Sequence, residues 1–310
     1  MPISLPDQVR DSCAWVAERA SSVRIDEAAI GGYARGLTGP EAPAPPDPQT
    51  ELLEGGRETR AAFAICLNAI NFGSGWWPTI RKRPGLSGYS TVAAGVVDRF
   101  LDAGPWSAAE LEDLSTTQIA SALGQDPDHP LMSDFARSLR DVGVHVRAEH
   151  EGRFETVVDA SGGSAVALTD LLASWRAFAD TSTYLGRTVP FFKRAQLAAA
   201  DLDRAGVASF PDLERLTAFA DNLVPHVLRV DGVLQLDPAL EQRIEAGELL
   251  EHGSPEEVAL RACTVHTIEL LVATSGGRLT AAEIDVALWN RGRAPRYKSI
   301  PRPRSRNTAY

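Results

Sequence analysis

The chain has 310 residues, a hydrophobic content of 44% and a formal net charge of −10 at pH 7. This length and composition can bury a large core, as one domain or as two closely packed lobes. The acidic balance argues against a duplex nucleic-acid partner, since phosphate neutralisation dominates such binding. No apolar run reaches the roughly 18 residues of a membrane span, and the first residues lack the basic and apolar regions of a signal peptide. We therefore expect a cytoplasmic protein without a membrane partner.

The cysteines and histidines show no metal-ligand spacing. Cys13, Cys66 and Cys263 are scattered and odd in number, which predicts buried packing rather than disulfides or a cluster. The six histidines show no paired spacing of the metalloenzyme kind. There is no glycine-rich dinucleotide or phosphate-binding loop. We expect neither a metal nor a cofactor.

Apolar residues recur at helical spacing through most of the chain. The predicted helices are 7–20, 25–37, 61–72, 92–103, 108–114, 117–123, 132–142, 164–178, 191–205, 209–220, 224–230, 238–246, 254–271 and 280–289. Residues 144–158 alternate around a Glu-Gly turn and predict a short hairpin. The proline-rich stretch at about 38–50 predicts an extended surface connector within a single domain of residues 1–310. The predicted fold class is mainly α, with at most a small β element.

A lone carboxylate, Asp221, lies between two apolar helical segments, where the second helix begins. Pro225 falls in the first turn of that helix, where its missing N–H costs nothing. Free N–H groups and the helix dipole at such an end stabilise an ionised carboxylate, by roughly 0.3–1 kcal/mol for each contribution. Asp221 is therefore a candidate for stabilising a cation. The alternative is that it is only the N-cap, because Asp is favoured there.

The basic residues are unevenly distributed. Seven of them and no acid occupy residues 291–306, interleaved with prolines: Arg291, Arg293, Arg296, Lys298, Arg302, Arg304 and Arg306. A basic, proline-rich stretch in an acidic protein indicates a local anion site. The alternative is a solvated tail.

Several short motifs occur in a defined order along the chain. They are residues 67–72, 76–77, 88–90, 191–197 with 201–202, 216–221 with 224–225, Glu257 with Arg261, and Asp285 with 288–289. In that order and spacing they resemble the queuosine salvage protein family, the queuosine 5′-phosphate N-glycosylase/hydrolases. Residues 221–229 are also similar to the aspartate segment of helix-hairpin-helix base-excision glycosylases. The resemblance covers nearly the whole chain and implies a helical, glycosylase-like architecture.

The chain departs from these relatives in two places. The glycine-rich hairpin of the DNA glycosylases is missing between Ala205 and Asp221, which argues against their way of gripping a duplex. Residues 71–77 carry Gly73 and Gly75 where the salvage family usually has bulkier residues.

The resemblance implies hydrolysis of queuosine 5′-monophosphate, a small-molecule substrate, with release of the base queuine. Such a reaction passes through an oxocarbenium-like transition state, and the motif makes Asp221 the candidate catalytic residue. The candidates for binding the base are Asp285, Phe72, Trp76, Trp77, Tyr89, Asp180 and Gln196. The candidates for binding the phosphate are Lys193, Arg194, Lys298 and Arg302.

Two other functions stay open on the sequence alone. One is a DNA or RNA base-excision glycosylase on the same scaffold, against which the acidic charge and the missing hairpin count. The other is a non-catalytic nucleobase-binding protein. The co-occurrence of Asp221, Lys193 and Asp285 counts against that function, because a scaffold does not need them.

Overall fold

The computed structural model describes residues 3–37 and 55–310, so the predicted connector at 38–50 lies outside the described residues. In these ranges the regular structure consists of fifteen α-helices and two two-stranded sheets, which confirms the mainly α class. The helices are α1 (Leu5–Ala17), α2 (Glu27–Leu37), α3 (Arg57–Ala69), α4 (Gly88–Ala103), α5 (Ala108–Glu112), α6 (Thr116–Ala122), α7 (Pro130–Glu149), α8 (Phe154–Asp159), α9 (Ala165–Ala173), α10 (Lys193–Arg204), α11 (Val224–Val230), α12 (Pro238–Glu245), α13 (Pro255–Thr274), α14 (Ala281–Arg291) and α15 (Pro295–Lys298). The strands are β1 (Val23–Ile25), β2 (Thr181–Tyr184), β3 (Arg187–Pro190) and β4 (Leu234–Leu236).

Both sheets are small and antiparallel. Strand β1 pairs with β4, in the register Val23 opposite Leu236. Strands β2 and β3 form a tight hairpin whose two turn residues, Leu185 and Gly186, both have positive φ angles of 47° and 80°. Positive φ at both turn positions is typical of a two-residue hairpin that follows the strand twist. This hairpin leads directly into α10.

The predicted hairpin at 144–158 is wrong. Helix α7 continues to Glu149, and α8 begins at Phe154. Val142 and Val146 are fully buried while Val144 is 50% exposed, so burial follows the helical period rather than strand alternation. The Glu-Gly pair forms the turn between the two helices, with φ angles of 57° at Glu151 and 74° at Gly152.

The predicted helix at 209–220 is also wrong. Only Leu213–Arg215 forms a single 3-10 turn, and residues 216–220 are buried without regular structure. Asp212, within this stretch, accepts hydrogen bonds from the N–H groups of Ala165 and Val166. It therefore caps α9, a helix that lies far away in the sequence.

The described core consists of two hydrophobic clusters. One includes residues of α3, α4, α7 and α10, and the other includes residues of α1, α11, α13 and α14. Leu216 belongs to the first cluster, whereas Ala218 and Ala220 belong to the second. Residues 216–220 thus pass from one cluster to the other, immediately before Asp221.

Residues 297–310, called here the basic segment, pack against the protein. Side chains from distant elements donate to its backbone carbonyls: His226 Nε2 to Tyr297 (2.9 Å), Arg229 Nη2 to Pro301 (2.6 Å), Asn222 Nδ2 to Pro303 (3.0 Å) and Arg194 Nε to Ala309 (3.0 Å). Three of these donors lie on or just before α11. The alternative of a solvated tail is therefore wrong for the backbone of the basic segment.

Cys13, Cys66 and Cys263 are fully buried free thiols, which confirms the predicted packing role. Burial raises the pKa of all three. Within the described ranges, no helix has both the length and the apolar character that a membrane crossing requires.

The contact between α11 and the basic segment predicts a pH-dependent stability. Burial of the ring lowers the pKa of His226 to about 4, whereas a histidine in the unfolded chain titrates near about 6.5. Between these values the unfolded state binds more protons, so stability falls as the pH falls through that window. From pH 7 to pH 5 the loss is about 2 kcal/mol for this group.

Thermal unfolding of wild type and His226→Gln at pH 7 and pH 5 measures this effect. We expect a lower Tm at pH 5 in both proteins and a smaller fall in the variant. Some fall remains, because burial also lowers the pKa of His129, His150 and His266. His145→Gln, on α7, is the control. A His226→Gln protein with the pH dependence of wild type would contradict the assignment.

Candidate active site

A cavity of about 790 Å³ is lined by residues from both core clusters. Its volume lies in the range of about 300–1,000 Å³ that is usual for small-molecule sites. Eight of the predicted site residues line it: Phe72, Trp77, Tyr89, Lys193, Asp221, Asp285, Lys298 and Arg302. Another depression, of about 600 Å³ around Arg99 and Trp106, contains none of them.

Asp221 lies at the start of α11, as the sequence predicted. Its Oδ1 accepts hydrogen bonds from the N–H groups of Leu223 (2.8 Å) and Val224 (3.0 Å). The carboxylate is half-buried and lines the cavity. Asp221 lies two residues before Leu223, the N-cap of α11, and it both holds the start of this helix and lines the cavity. Its Oδ2 takes no part in these two bonds.

The backbone before Asp221 is held by side chains. Thr217 N–H donates to Gln196 Oε1 (2.8 Å), and Phe219 N–H donates to Asp285 Oδ1 (3.0 Å). Arg261 Nε donates to the carbonyl of Ala220 (3.0 Å). Buried backbone groups need such partners, and here α10, α13 and α14 supply them. These three bonds determine where Asp221 enters the cavity.

Asp285, on α14, is 4% exposed. Burial raises its pKa well above 3.8, and the negative charge of Asp221 raises it further; the Phe219 N–H and Lys193 oppose the shift. Burial therefore acts against the ionised form of Asp285. Oδ1 accepts the N–H of Phe219, so of the two carboxyl oxygens only Oδ2 is not already bonded to this backbone.

Lys193 is the first residue of α10 and is 5% exposed. Its backbone N–H donates to Asp180 Oδ2 (3.0 Å), and its Nζ donates to the carbonyl of Asn71 (3.1 Å). Burial lowers the pKa of Lys193 to about 8, against the opposing charges of Asp221, Asp285 and Asp180. At neutral pH the amine is mainly protonated. The cavity therefore contains a cation close enough to both cavity carboxylates to feel their charge.

Four predicted site residues do not line the cavity and lie behind its wall. Arg194 is 1% exposed and donates to the carbonyls of Ala69 and Ala309. Gln196 is fully buried and bonds to Phe191 and Thr217. Asp180 is 2% exposed and bonds to Arg261. Trp76 lies beneath Arg306, with 6.0 Å between the guanidinium and the ring centre.

The aromatic cavity residues are partly fixed by the core. Phe72 packs edge-on against Phe135, with 5.1 Å between ring centres. Tyr89 packs edge-on against Trp289 of α14 at 6.0 Å. Trp289 also lines the cavity. It was not among the predicted site residues, although residues 288–289 belong to the motifs that carry the resemblance, because the sequence does not indicate that α14 faces the start of α4.

The basic segment explains the glycine at 75, whereas Gly73 has a φ angle of 111° and a Cβ there would lie 2.9 Å from Leu131 Cδ1. The N–H groups of Gly73 and Gly75 donate to the carbonyls of Tyr310 (3.3 Å) and Ser305 (3.1 Å). A Cβ on Gly75 would lie 2.6 Å from the Ser305 carbonyl oxygen, closer than any stable contact. Bulkier residues cannot occupy this position while the basic segment passes there.

Positive side chains surround part of the cavity. Lys298 is exposed and Arg302 is half-buried; burial lowers the pKa of Arg302, and Asp221 opposes that shift. Four further lining residues with positive charge were not among the predicted site residues: Lys82, Arg204, Arg293 and Arg304. Arg293 and Arg304 belong to the basic stretch of residues 291–306, whereas nothing in the sequence marked Lys82 and Arg204 as site residues. In the described part of the chain, no group of three or more His, Cys, Asp or Glu side chains is arranged to hold a metal ion.

Comparison with known proteins gives one consistent result. The model of the queuosine salvage protein family matches residues 53–310. A protein of Sphaerobacter thermophilus named queuosine 5′-phosphate N-glycosylase/hydrolase is 35% identical over 309 residues, which cover 95% of each chain. Proteins with the same name from Dictyostelium discoideum and Mus musculus are 30% and 28% identical, over 82% and 98% of this chain and 79% and 99% of theirs.

Proposed function

The chain belongs to the queuosine salvage protein family, and from that premise we propose that it is an N-glycoside hydrolase releasing queuine from queuosine 5′-monophosphate. Relatives with this named activity match nearly its whole length. The observation that carries the proposal is the shared cavity of Asp221, Lys193 and Asp285 beside the basic segment. A carboxylate can stabilise the cation that develops on the sugar, and Asp285 offers a polar contact for the base.

In the proposed reaction the bond between ribose C1′ and the base nitrogen breaks, and its electron pair leaves with the base. Positive charge develops at C1′, and the carboxylate of Asp221 stabilises it. Water then adds its oxygen to C1′, and the base takes up a proton. Queuine is a 7-deazaguanine with carbon at position 7, so protonation at N7 cannot assist its departure. Stabilisation of the sugar cation by Asp221 is correspondingly more important.

In this proposal Asp285 contacts the base through Oδ2, the carboxyl oxygen that does not accept the N–H of Phe219. Because burial favours its protonated form, it can donate a hydrogen bond to the departing base. Phe72, Trp77 and Tyr89 are the candidates for stacking on the base, a contact typically worth about 1–3 kcal/mol.

The phosphate is assigned to Lys298 and Arg302. Both line the cavity from the basic segment, and a charge-assisted contact to phosphate contributes roughly 1.5–3 kcal/mol. Lys193 interacts with the two cavity carboxylates, which favours a role at the bond that breaks rather than at the phosphate. Arg194 is left out, because its guanidinium is buried and bonded to two carbonyls.

The role of Asp221 is tested by Asp221→Asn. The amide oxygen still accepts from the N–H groups of Leu223 and Val224, so the start of α11 is kept, but the charge is lost. We expect kcat to fall at least about 10³-fold with nearly unchanged substrate binding, because the charge acts mainly in the transition state. Chromatography of released base measures the rate, with a duplex oligonucleotide as a second substrate that we expect to stay intact.

Asp237→Asn is the matched control for this substitution. Asp237 caps α12 in the same way, accepting from the N–H groups of Ala239 (2.9 Å) and Leu240 (3.2 Å), and it does not line the cavity. We expect it to keep wild-type turnover. More than a tenth of wild-type turnover in Asp221→Asn would reduce Asp221 to a helix cap.

The phosphate contact predicts a preference for the 5′-monophosphate over the free nucleoside. We expect about a 10- to 100-fold ratio in kcat/KM, and a collapse of this ratio in the double variant Lys298→Ala, Arg302→Ala. Arg296→Ala is the control, since Arg296 is exposed, pairs with Asp231 and does not line the cavity. Equal cleavage of both substrates by wild type would remove the phosphate site from the mechanism.

A further inference from the structure

A buried ion pair lies directly behind the cavity wall. Arg261 Nη1 and Nη2 donate to Asp180 Oδ1 (2.9 Å) and Oδ2 (2.7 Å), and both side chains are almost completely buried. The guanidinium also contacts two aromatic rings, 3.9 Å from the centre of Phe191 and 4.3 Å from that of Tyr310. The planar fork of Arg261 is thus held by a two-oxygen contact and by two rings, which restricts its orientation.

Each residue of this ion pair also forms a hydrogen bond with the backbone of a segment that leads to the cavity. Asp180 Oδ2 accepts the N–H of Lys193 (3.0 Å), and Arg261 Nε donates to the carbonyl of Ala220 (3.0 Å). Lys193 and Asp221, the residue after Ala220, are both cavity residues. The ion pair therefore connects the cation and the carboxylate of the cavity through their own main chains.

Stability alone does not account for such a pair. A buried ion pair can often be replaced by packed apolar residues at no loss of stability, because burying two charges offsets most of their attraction. Neither side chain lines the cavity, so substrate contact does not account for the pair either. The bonds to Lys193 and Ala220 are the feature that an apolar pair could not reproduce.

We propose that Asp180 and Arg261 are positioning residues, which fix the separation between Lys193 and Asp221 in the cavity. This inference rests on the proposed function, since it assigns the pair a role in that reaction. A displacement of about 1 Å in reacting groups can reduce the rate about 10²-fold. Gln196 holds the same backbone at Thr217, four residues before Asp221, so the loss of one Arg261 bond moves Asp221 without releasing the whole segment.

Arg261→Lys tests the proposal, because it keeps the charge but loses the fork and the bond to Ala220. We expect kcat to fall about 10²-fold, while KM for the monophosphate changes less than about threefold. Asp180→Asn, which keeps an acceptor for the Lys193 N–H, should lower kcat in the same way and serves if Arg261→Lys does not fold. Leu139→Ala, in the core on α7, is the control for a simple loss of stability: its Tm falls and its kcat below the Tm should not.

Amide hydrogen exchange supplies a readout that does not need turnover. In Arg261→Lys, peptides covering 191–197 and 216–223 should exchange about tenfold faster or more, and in Leu139→Ala they should not. A kcat within about threefold of the Leu139→Ala control, or unchanged exchange in either peptide, would overturn the positioning role. Failure of wild type to cleave the monophosphate would instead refute the proposed function, while the exchange result still decides whether the pair holds both segments.

A different observation concerns Ser74, between Phe72 and Trp77. Its side chain is 2% exposed and lines the cavity, and among the described residues its Oγ has no hydrogen-bond partner. The neighbouring N–H groups of Gly73 and Gly75 are bonded to the basic segment, so the loop cannot turn to satisfy it. A buried hydroxyl without a partner is unfavourable, unless a ligand supplies one.

We infer that Ser74 Oγ hydrogen-bonds to the nucleoside part of the substrate, and this too rests on the proposed function. Ser74→Ala should raise KM about 3- to 10-fold and leave Tm unchanged. Ser182→Ala is a matched control, since Ser182 Oγ is also buried without a partner but does not line the cavity; both KM and Tm should match wild type.

Inhibition by free queuine then distinguishes the two halves of the nucleoside. Weaker inhibition of Ser74→Ala assigns the bond to the base, and unchanged inhibition with a raised KM assigns it to the ribose. An unchanged KM in Ser74→Ala, or an equal rise in Ser182→Ala, would refute the contact. Loss of wild-type cleavage would point to the proposed function instead, and direct binding of queuosine 5′-monophosphate to Ser74→Ala would still decide the contact.

Discussion

The site depends on hydrogen bonds to a buried stretch of backbone that belongs to no helix or strand. Residues 216–220 cross between the two hydrophobic clusters, and their polar groups are bonded by Gln196, Asp285 and Arg261. Each of these side chains comes from a different helix, so α10, α13 and α14 all meet at this segment. Asp221 follows it directly and begins α11. The position of the proposed catalytic carboxylate is thus a consequence of how the core is assembled, since a change in any of the three helices is transmitted to it.

The basic segment depends on the same helix. Asn222, His226 and Arg229 lie on or just before α11 and donate to three of its carbonyls. The helix therefore orients Asp221 at its first turn and holds the basic segment along its side. This arrangement places Lys298 and Arg302 in the same cavity as Asp221, although the basic stretch is far from it in the sequence. Gly75, in the loop before α4, completes the arrangement, because a side chain there would collide with Ser305 of the segment.

Burial shifts the pKa values of the acidic and basic cavity groups in opposite directions, for one physical reason. Removing a charge from water disfavours the ionised form of any group, so the pKa of Asp285 rises and that of Lys193 falls. Their mutual attraction, and the attraction between Lys193 and Asp221, limits both shifts. The protein has a net charge of −10, but in the cavity the two acidic side chains lie close to the basic side chain of Lys193. The net charge of the whole chain therefore does not describe the charge within the cavity.

The sequence by itself determined the features that arise from local order. Helical periodicity predicted most helices and the mainly α class, and the Pro225 signal located the start of α11 beside Asp221, because helix ends depend on a few adjacent residues. The motifs and the basic stretch together named eight residues that line one cavity. Tertiary structure decided the rest. The apolar spacing of 209–220 suits a helix, but backbone bonds to Gln196, Asp285 and Arg261 and the capping of α9 by Asp212 outweigh that weak local preference. Asp180 and Arg194 carry charges that suit substrate contact, and their burial with partners distant in the sequence assigns them to the wall behind the cavity. Residue type reveals what a side chain can bind, whereas only the packed fold decides which group reaches it.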